Sequence, residues 1–293
     1  MGLGTKIDEK TKRQVIPHFF QCCNYTGNHF PGSMAISMER KDIPLIKKSN
    51  YWFCEKSDGV RYILFATMFS FQNTSRKTVF LVDRALNFYI VKMCLPLESY
   101  QGTIIDGELV DDCFHIFDCI CIAGKYVGHS PHSSRMSSCR KLVDAVNHEE
   151  SSFQVVVKKF VPLNAIQNYM NANTFENNDG FIFTPEDDPV QYGTHSTLFK
   201  LKSGHDHTVD FVIDSEGQCF VTENKKPKWI TTIPLSGDWK EELSVPKVVE
   251  CSFMNGTWKI LKRRTDKKHS NSLKTYQKTL LNMKENILLC ELY

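Results

Sequence analysis

Short runs of apolar, β-branched and aromatic residues, separated by Gly, Asp and Pro, recur along most of the chain and predict a fold rich in strands. The clearest case is YWFCEKSDGVRYILFA at positions 51–66, where two such runs flank a polar segment with the turn signal Asp58-Gly59. This pattern predicts a hairpin. Further strands are predicted at 78–82, 87–92, 103–105, 114–122, 155–157, 181–184, 198–202, 208–213, 219–222, 248–253 and 257–261.

Apolar residues recur at helical spacing in positions 136–146, 165–171 and 273–287, and these segments are predicted to be helices. The first 45 residues contain turn formers such as Pro17, and predict no long periodic element. Strands followed by a few helices, with hairpin-like spacing, indicate an α+β fold of largely antiparallel sheets with flanking helices.

A length of 293 residues is long for one compact domain and suits two. We place the boundary at Ser203-Gly204, so that residues 1–203 form the first domain. Residues 204–286 contain short, closely spaced strands typical of a small barrel, followed by a terminal helix. The tail 287–293 is expected to pack back on the first domain.

Composition narrows the class of protein. Hydrophobic residues make up 41% and charged residues 24%, as in soluble globular proteins, and the net charge of +3 is too small to indicate a partner. Positions 259–278, however, carry eight Lys or Arg residues against the single acid Asp266. This excess suits either a phosphate-bearing ligand or a solvated basic face.

The eleven cysteines follow no regular spacing, and no apolar signal segment precedes them. We therefore expect reduced thiols and an intracellular location. The longest nearly unbroken apolar stretch, positions 62–71, is about half the ~20 residues that a membrane helix needs, so no membrane span is expected.

Charged residues cluster at predicted strand ends and turns, where a sheet can hold functional groups rigidly. These residues are Lys56, Asp58, Arg61, Arg84, Glu108, Asp179, Lys200 and Lys202. Each alone is more typical of a surface turn, a helix cap or a solvated strand face. Their recurrence at five separate places predicts a site.

The ordered motifs resemble those of the covalent nucleotidyltransferases, the superfamily of mRNA capping guanylyltransferases and polynucleotide ligases. They are EKSDGVR (55–61), Asp83-Arg84, DGEL (106–109), Phe117-Asp118, Asp179-Gly180-Phe181, LFKLK (198–202) and RTDK (264–267). Trp258 ahead of RTDK, and the closeness of LFKLK to HTVDFVI (207–213), favour the capping branch. The chain is particularly similar to the small capping guanylyltransferases of large DNA viruses.

The resemblance implies a nucleotidyltransferase domain followed by an oligonucleotide-binding (OB) barrel, and transfer of GMP from GTP to the 5′-diphosphate end of RNA. Lys56 would be the nucleophile. An amine attacks only in its neutral form, which nearby cations favour, and Arg61, Lys200 and Lys202 are the candidates. Asp179, with Glu108, would hold a Mg²⁺ or Mn²⁺ ion, because such hard ions prefer oxygen ligands.

Family analogy assigns the remaining positions. Glu108 and Arg84 would bind the ribose hydroxyls, Phe117 would stack on guanine, and Lys158 would donate to its O6 atom. For Phe117 the alternative is ordinary packing in a buried strand. Three further residues, Asp210, Arg264 and Lys267, together with Asp266, would act on the triphosphate and the leaving pyrophosphate.

Two alternatives stay open: an ATP-dependent polynucleotide ligase of the same superfamily, and a non-catalytic RNA-binding relative. No triphosphatase or methyltransferase motif is evident, so this chain is expected to perform one of the three capping steps. The resemblance implies a monomer whose partners include an RNA triphosphatase, a cap methyltransferase or an RNA polymerase. It also implies a location in the nucleus or in a cytoplasmic viral factory.

Overall fold

The computed structural model describes residues 4–71, 74–172, 179–202, 207–265 and 267–292. The chain forms two compact units, one of residues 1–36 with 48–200 and the other of residues 37–47 with 201–293. The change of unit after Lys200 lies close to the expected boundary, which itself falls on residues outside the described ranges. The segment 37–47 joins the second unit, although it lies within the predicted first domain.

Most of the regular structure is strand, and the whole is α+β as expected. The strands of the first unit are β1 (Thr5–Lys6), β2 (Ser33–Ser37), β3 (Tyr51–Glu55), β4 (Val60–Phe71), β5 (Thr74–Val82), β6 (Phe88–Val91), β7 (Gln101–Val110), β8 (Cys113–Ile122), β9 (Lys125–Tyr126), β10 (Gln154–Val157), β11 (Val161–Pro162), β12 (Phe181–Pro185) and β13 (Gly193–Leu201). Those of the second unit are β14 (Thr208–Ile213), β15 (Gln218–Glu223), β16 (Lys226–Thr232), β17 (Lys247–Met254) and β18 (Thr257–Arg263). The α-helices are α1 (Glu9–Cys22), α2 (Ile43–Lys48), α3 (His132–Val143), α4 (Ile166–Ala172), α5 (Trp239–Glu242) and α6 (Leu273–Glu285), and short 3₁₀ helices lie at Arg40–Asp42, Leu97–Tyr100, Leu163–Ala165 and Leu289–Leu292.

Three sheets organise these strands. In the first unit the larger sheet has the order β1-β6-β5-β4-β7-β8-β10, with β9 on β8, and the smaller has the order β11-β3-β12-β13-β2. The second unit has one sheet, β16-β15-β14-β17-β18. The neighbours of β4 and of β14 run antiparallel to them, whereas β10 runs parallel to β8.

The larger sheet of the first unit is buried on both faces. Successive residues of β4 point to opposite faces, so Phe65 packs in one core cluster and Leu64 in the other. Helix α1 contributes Phe19 to the first cluster, and helix α3 contributes Met136 to the second. Two-sided burial explains why the strands of this sheet are nearly continuous apolar runs.

The expectation of no long element before residue 45 is wrong, because α1 runs for 14 residues with Pro17 inside it. Pro17 is exposed, while Val15 and Phe19 are fully buried. Proline in a helix interior removes one backbone hydrogen bond. Burial of the apolar face of the helix outweighs that loss, and tertiary packing of this kind is not visible in a local pattern.

The predicted hairpin at positions 51–66 is also wrong, although both of its strands exist. Strand β3 pairs with β12 and β11 in the smaller sheet, whereas β4 pairs with β5 and β7 in the larger one. The polar segment therefore carries the chain from one sheet to the other. Gly59 packs so closely on β7 that an added Cβ would lie 2.5 Å from the carbonyl oxygen of Leu109.

Strand β16 is absent from the predicted strands, because its first three residues are two lysines and Pro227, which are not typical of a strand. Glu108 lies inside β7 and not at a strand end. None of the helices in the described ranges has the length and apolar character needed to cross a membrane.

Candidate functional site

A cavity of about 360 Å³ in the first unit is lined by residues of both of its sheets. Seven of the residues singled out from the sequence line it: Lys56, Arg61, Arg84, Glu108, Phe117, Lys158 and Lys200. These residues are up to 144 positions apart (200 − 56) and lie on several different strands or loops. The fold therefore gathers charged side chains that the sequence separates.

Lys56 is the first residue after β3, and backbone hydrogen bonds fix it to the segment before β12. Its N–H donates to the Gly180 carbonyl oxygen at 2.8 Å, and the Asp179 N–H donates to the Lys56 carbonyl oxygen at 3.3 Å. Its ammonium group forms an ion pair with the Asp179 carboxylate. Both side chains keep about a fifth of their surface exposed, so a ligand in the cavity can reach the amine.

Arg61, on β4, is held by the neighbouring strand. Its guanidinium donates two hydrogen bonds to the Asp106 carboxylate on β7 and one to the Ser33 carbonyl oxygen at 2.7 Å. Burial lowers the pKa of Arg61, but the charge and hydrogen bonds of Asp106, with the charges of nearby acids, outweigh burial and raise the pKa above its ordinary value. This partner was not among the predicted site residues. It lies two positions before Glu108 on the same strand, a spacing that places both side chains on one face.

The cavity has a positive character around Arg84. Burial lowers the pKa of Arg84, and the nearby charge of Arg61 lowers it further. An arginine stays protonated even so, because its ordinary pKa lies far above neutrality. Six Lys or Arg residues line the cavity, against the four acids Asp106, Glu108, Asp118 and Asp188, and this excess of cations favours an anionic ligand.

Phe117 is half-buried, and its ring lines the cavity instead of packing wholly in the core. The Arg61 guanidinium carbon lies 5.2 Å from the ring centroid and the Lys158 ammonium nitrogen lies 5.9 Å from it. Lys158 also donates to the Glu55 carbonyl oxygen at 3.3 Å and lies 3.7 Å from the Glu108 carboxylate. The cavity thus combines an aromatic face with a fixed cationic donor.

A second layer of polar contacts supports this aromatic position, and sequence reasoning did not find it. The Nε2 atom of His132 donates to the Phe117 carbonyl oxygen at 3.2 Å. Arg135, which is only 2% exposed, donates to the Asp118 carboxylate at 2.7 Å. Both residues lie in the first turn of helix α3, ahead of the helix predicted at 136–146. Their contacts join residues 15 and 17 positions apart, so no local spacing signals them.

The other predicted residues lie elsewhere. Lys202 follows the last residue of β13, and it is not among the described residues that line the cavity. In the second unit, Arg264 pairs with Asp210 at 3.0 Å and Lys267 pairs with the same carboxylate. Asp266 lies outside the described residues.

The proposed metal ligands fit a phosphate-bound ion better than a self-contained metal centre. Over the described ranges, no three His, Cys, Asp or Glu side chains are placed to hold a metal ion together. Mg²⁺ is commonly bound through one or two carboxylates, with phosphate oxygens and water completing its shell. Asp179 and Glu108 supply carboxylates of that kind. Asp179 pairs with Lys56, and Glu108 lines the same cavity as Lys56.

Comparison with known proteins gives family matches over the whole chain. The model described as "mRNA capping enzyme, catalytic domain" matches residues 2–204, and "mRNA capping enzyme, C-terminal domain" matches residues 187–293. The chain is 26% identical over 312 residues to mRNA-capping enzyme subunit alpha of Schizosaccharomyces pombe, an alignment that covers 88% of this chain and 77% of that protein. It is 24% identical to the mRNA-capping enzyme of Caenorhabditis elegans, over 96% of this chain and 51% of that protein. Among solved structures, a Lig E DNA ligase has a TM-score of 0.43 and 16% identity, covering 80% of this chain and 99% of that one.

Proposed function

The chain belongs to the mRNA capping enzyme family, and we propose on that basis that it is a GTP:mRNA guanylyltransferase. The observation that carries the proposal is the cavity in which the Lys56 amine lies with Arg84, Lys158, Lys200 and the half-buried ring of Phe117. It offers a nucleophile, cations for phosphates and an aromatic face for a base. Together these are the parts that nucleotidyl transfer needs.

The first step forms a lysyl-GMP adduct. The neutral Lys56 amine attacks the α-phosphorus of GTP, a P–N bond forms, the bond from the α-phosphorus to the bridging oxygen breaks, and pyrophosphate leaves with that electron pair. The Lys56 ammonium group, oriented by its ion-pair partner Asp179, first loses one proton to solvent water, and the nitrogen loses a second to water or to the departing pyrophosphate as the P–N bond forms. Lys200 and Arg84 lie in the same cavity and would stabilise the negative charge on the phosphates.

The second step transfers GMP to RNA. A terminal oxygen of the 5′-diphosphate end attacks the phosphorus of the adduct, the P–N bond breaks, and the Lys56 amine regains a proton. The product is the GpppN cap. The cluster of Asp210, Arg264 and Lys267 belongs to the proposed machinery as the group that acts on the triphosphate and pyrophosphate.

A divalent cation, Mg²⁺ or Mn²⁺, would be held by Asp179 and Glu108, and when bound it supplies positive charge that balances the triphosphate. For the base, Phe117 supplies a stacking face, and Lys158 is a donor suited to the O6 acceptor of guanine. Ile182, which the sequence did not suggest, lines the same cavity and would pack against the base.

The proposed setting follows from the substrates. An RNA triphosphatase must supply the 5′-diphosphate end, a methyltransferase consumes the GpppN product, and RNA polymerase supplies the transcript. These are the proposed partners, and the nucleus or a cytoplasmic viral factory is the proposed location.

Labelling the protein directly tests the proposal. Incubation with α-³²P-labelled GTP and MgCl₂ or MnCl₂ is expected to give an acid-labile protein adduct, and labelled ATP is expected to give none. Lys56→Ala and Lys56→Arg should abolish the label, because neither variant has the lysine amine. Lys48→Ala, which changes an exposed lysine of α2, serves as the control.

Each opposing outcome has a separate meaning. Label from ATP alone would establish a ligase-type adenylyltransferase. Label that persists in Lys56→Ala would place the nucleophile elsewhere. Absence of any adduct, with retained RNA binding, would identify a non-catalytic relative.

A further inference from the structure

The second unit contains a cavity of about 650 Å³ that the proposed chemistry does not use. It is lined by residues of β16 and β18, which are the two outer strands of the five-stranded sheet. Strands at opposite edges can line one cavity only if the sheet curls until its edges approach each other. No pairing between β16 and β18 occurs in the described residues, so the cavity lies at an open seam.

Aromatic side chains surround this seam. Trp258 and Tyr276 line it with ring centroids 6.2 Å apart, and Phe253 lies 5.2 Å from Trp258. Phe253 also lines the seam and is 42% exposed. Trp229 on β16 is 57% exposed and lies beside the cavity, because its Nε1–H donates at 3.4 Å to the hydroxyl of Thr232, which lines it. Single exposed apolar side chains are ordinary, but several exposed rings grouped beside one cavity are typical of an interaction site.

Cations outnumber acids on the two outer strands of the seam. The sequences of the two outer strands, KPKWITT and TWKILKR, contain five Lys or Arg residues and no Asp or Glu. Lys259 lines the cavity directly. Three of the five cations pair with carboxylates outside the two strands: Lys228 with Glu223, Lys262 with Glu250 and Arg263 with Glu242. These three cations are 45%, 68% and 46% exposed, and such exposed ion pairs exchange partners at little cost.

We propose that this seam binds single-stranded RNA, with bases stacked on Trp229 and Phe253 and phosphates contacted by Lys259 and its neighbours. Aromatic platforms beside a cationic groove are the usual means of binding single strands without sequence preference. An extended or proline-rich peptide could use the rings and strand edges, but it offers no phosphate to Lys259, which lines the cavity. As a binding site for the transcript behind its 5′ end, the seam rests on the proposed capping function.

The test uses the full chain and a fluorescein-labelled oligoribonucleotide of about 12 nucleotides. The oligonucleotide carries a 5′-hydroxyl end, so that it cannot accept GMP, and binding is followed by fluorescence anisotropy at several salt concentrations. Trp229→Ala and Phe253→Ala should each raise Kd about tenfold through lost stacking. Lys259→Ala should raise Kd and reduce the slope of log K against log salt by about 0.7.

Matched controls lie in the same unit. Lys284→Ala removes an exposed cation near the end of α6, and Val245→Ala shortens an apolar side chain that is 64% exposed. Neither should change RNA binding. Adduct formation from GTP needs no RNA and is measured in parallel, with thermal unfolding, so that a variant that has lost its fold is recognised by loss of both signals.

The outcomes separate the seam from the capping proposal. Unchanged Kd and salt slope in all three seam variants would overturn the seam proposal, whether or not the GMP adduct forms. Protection of β16 and β18 from hydrogen exchange by a proline-rich or acidic peptide, and not by RNA, would show a protein-docking surface instead. RNA binding at the seam without any GMP adduct would support the seam while contradicting the capping function.

Discussion

Three cations that line the first-unit cavity each pair with a carboxylate: Lys56 with Asp179, Arg61 with Asp106, and Lys158 with Glu108. The pairs differ in burial, and therefore in what they do. Arg61 and Asp106 are 10% and 3% exposed, so their contact is structural as well as electrostatic. Lys56 and Asp179 are more accessible, and their charges can be rearranged when a nucleotide enters.

Removal of Asp106 is expected to destabilise the fold strongly. Asp106→Ala leaves the Arg61 guanidinium buried without its carboxylate, which typically costs about 3–5 kcal/mol of unfolding free energy. Urea unfolding followed by circular dichroism measures the change. Glu9→Ala breaks a pair whose carboxylate is 72% exposed, and should cost less than about 0.5 kcal/mol. Equal losses of unfolding free energy in Asp106→Ala and Glu9→Ala would contradict a structural role for the buried Arg61–Asp106 pair.

Lys158 is predicted to contribute to GTP use, and its neighbour Lys159 is not. Lys158→Met removes the donor beside Phe117, and loss of a hydrogen bond from a charged donor should lower the second-order rate of adduct formation about 10- to 100-fold. Lys159→Met is the matched control, because Lys159 lies instead over the Tyr169 ring at 4.8 Å. Single-turnover labelling at varied GTP concentration gives the second-order rate of adduct formation for each of the two variants. A larger loss for Lys159→Met would exchange the roles of the two residues.

At the scale of elements, helix α3 is anchored by a residue from another part of the chain. Its N-cap, Pro131, provides no side-chain cap. Glu186 instead accepts hydrogen bonds from the Ser133 N–H at 3.0 Å and from Trp52 Nε1 at 2.7 Å. One carboxylate thereby joins α3 to β3. Burial would raise the pKa of Glu186, but the Ser133 and Trp52 hydrogen bonds outweigh it and lower the pKa below its ordinary value of 4.5.

The stabilisation from Glu186 should therefore depend on pH. Because the folded-state pKa is the lower one, the contribution is fully present above about pH 4.5 and is lost as the pH falls through the folded-state value. Glu186→Gln should be less stable than the parent by about 1–3 kcal/mol at pH 7, with the difference shrinking below pH 4.5. Urea unfolding between pH 3 and 7 tests this, with the exposed Glu241→Gln as control. A difference independent of pH would contradict a role for the charge.

The chain passes from one unit to the other at three points, after residues 36, 47 and 200, because residues 37–47 belong to the second unit. Within the second unit, the Asn282 side chain of α6 donates to the Met38 carbonyl oxygen at 2.6 Å, and Asn282 is only 6% exposed. Arg40 binds Glu291 in the same unit, but its side chain is 50% exposed. The buried hydrogen bond is thus the stronger candidate for holding this segment.

Asn282→Ala is expected to lower the unfolding free energy by about 1–3 kcal/mol, because the buried Met38 carbonyl loses its donor. Arg40→Ala, which breaks an exposed ion pair, should cost less than about 1 kcal/mol. Thermal unfolding of both variants, read by tryptophan fluorescence, gives the comparison. If Arg40→Ala were the more damaging change, the ion pairs and not the buried amide would hold residues 37–47.

Local sequence patterns predict most strands, the helices α3, α4 and α6 to within a few residues, and the motif residues that line the first cavity. These features are written in local patterns: alternation, helical spacing and short ordered motifs. Only the folded chain shows that β3 and β4 lie in different sheets and that Asp106 pairs with Arg61. It also shows that Pro17 lies inside a helix. Each of these features depends on strand pairing or burial between segments that are distant in sequence. The free energy of such long-range contacts cannot be inferred from a local pattern of residues.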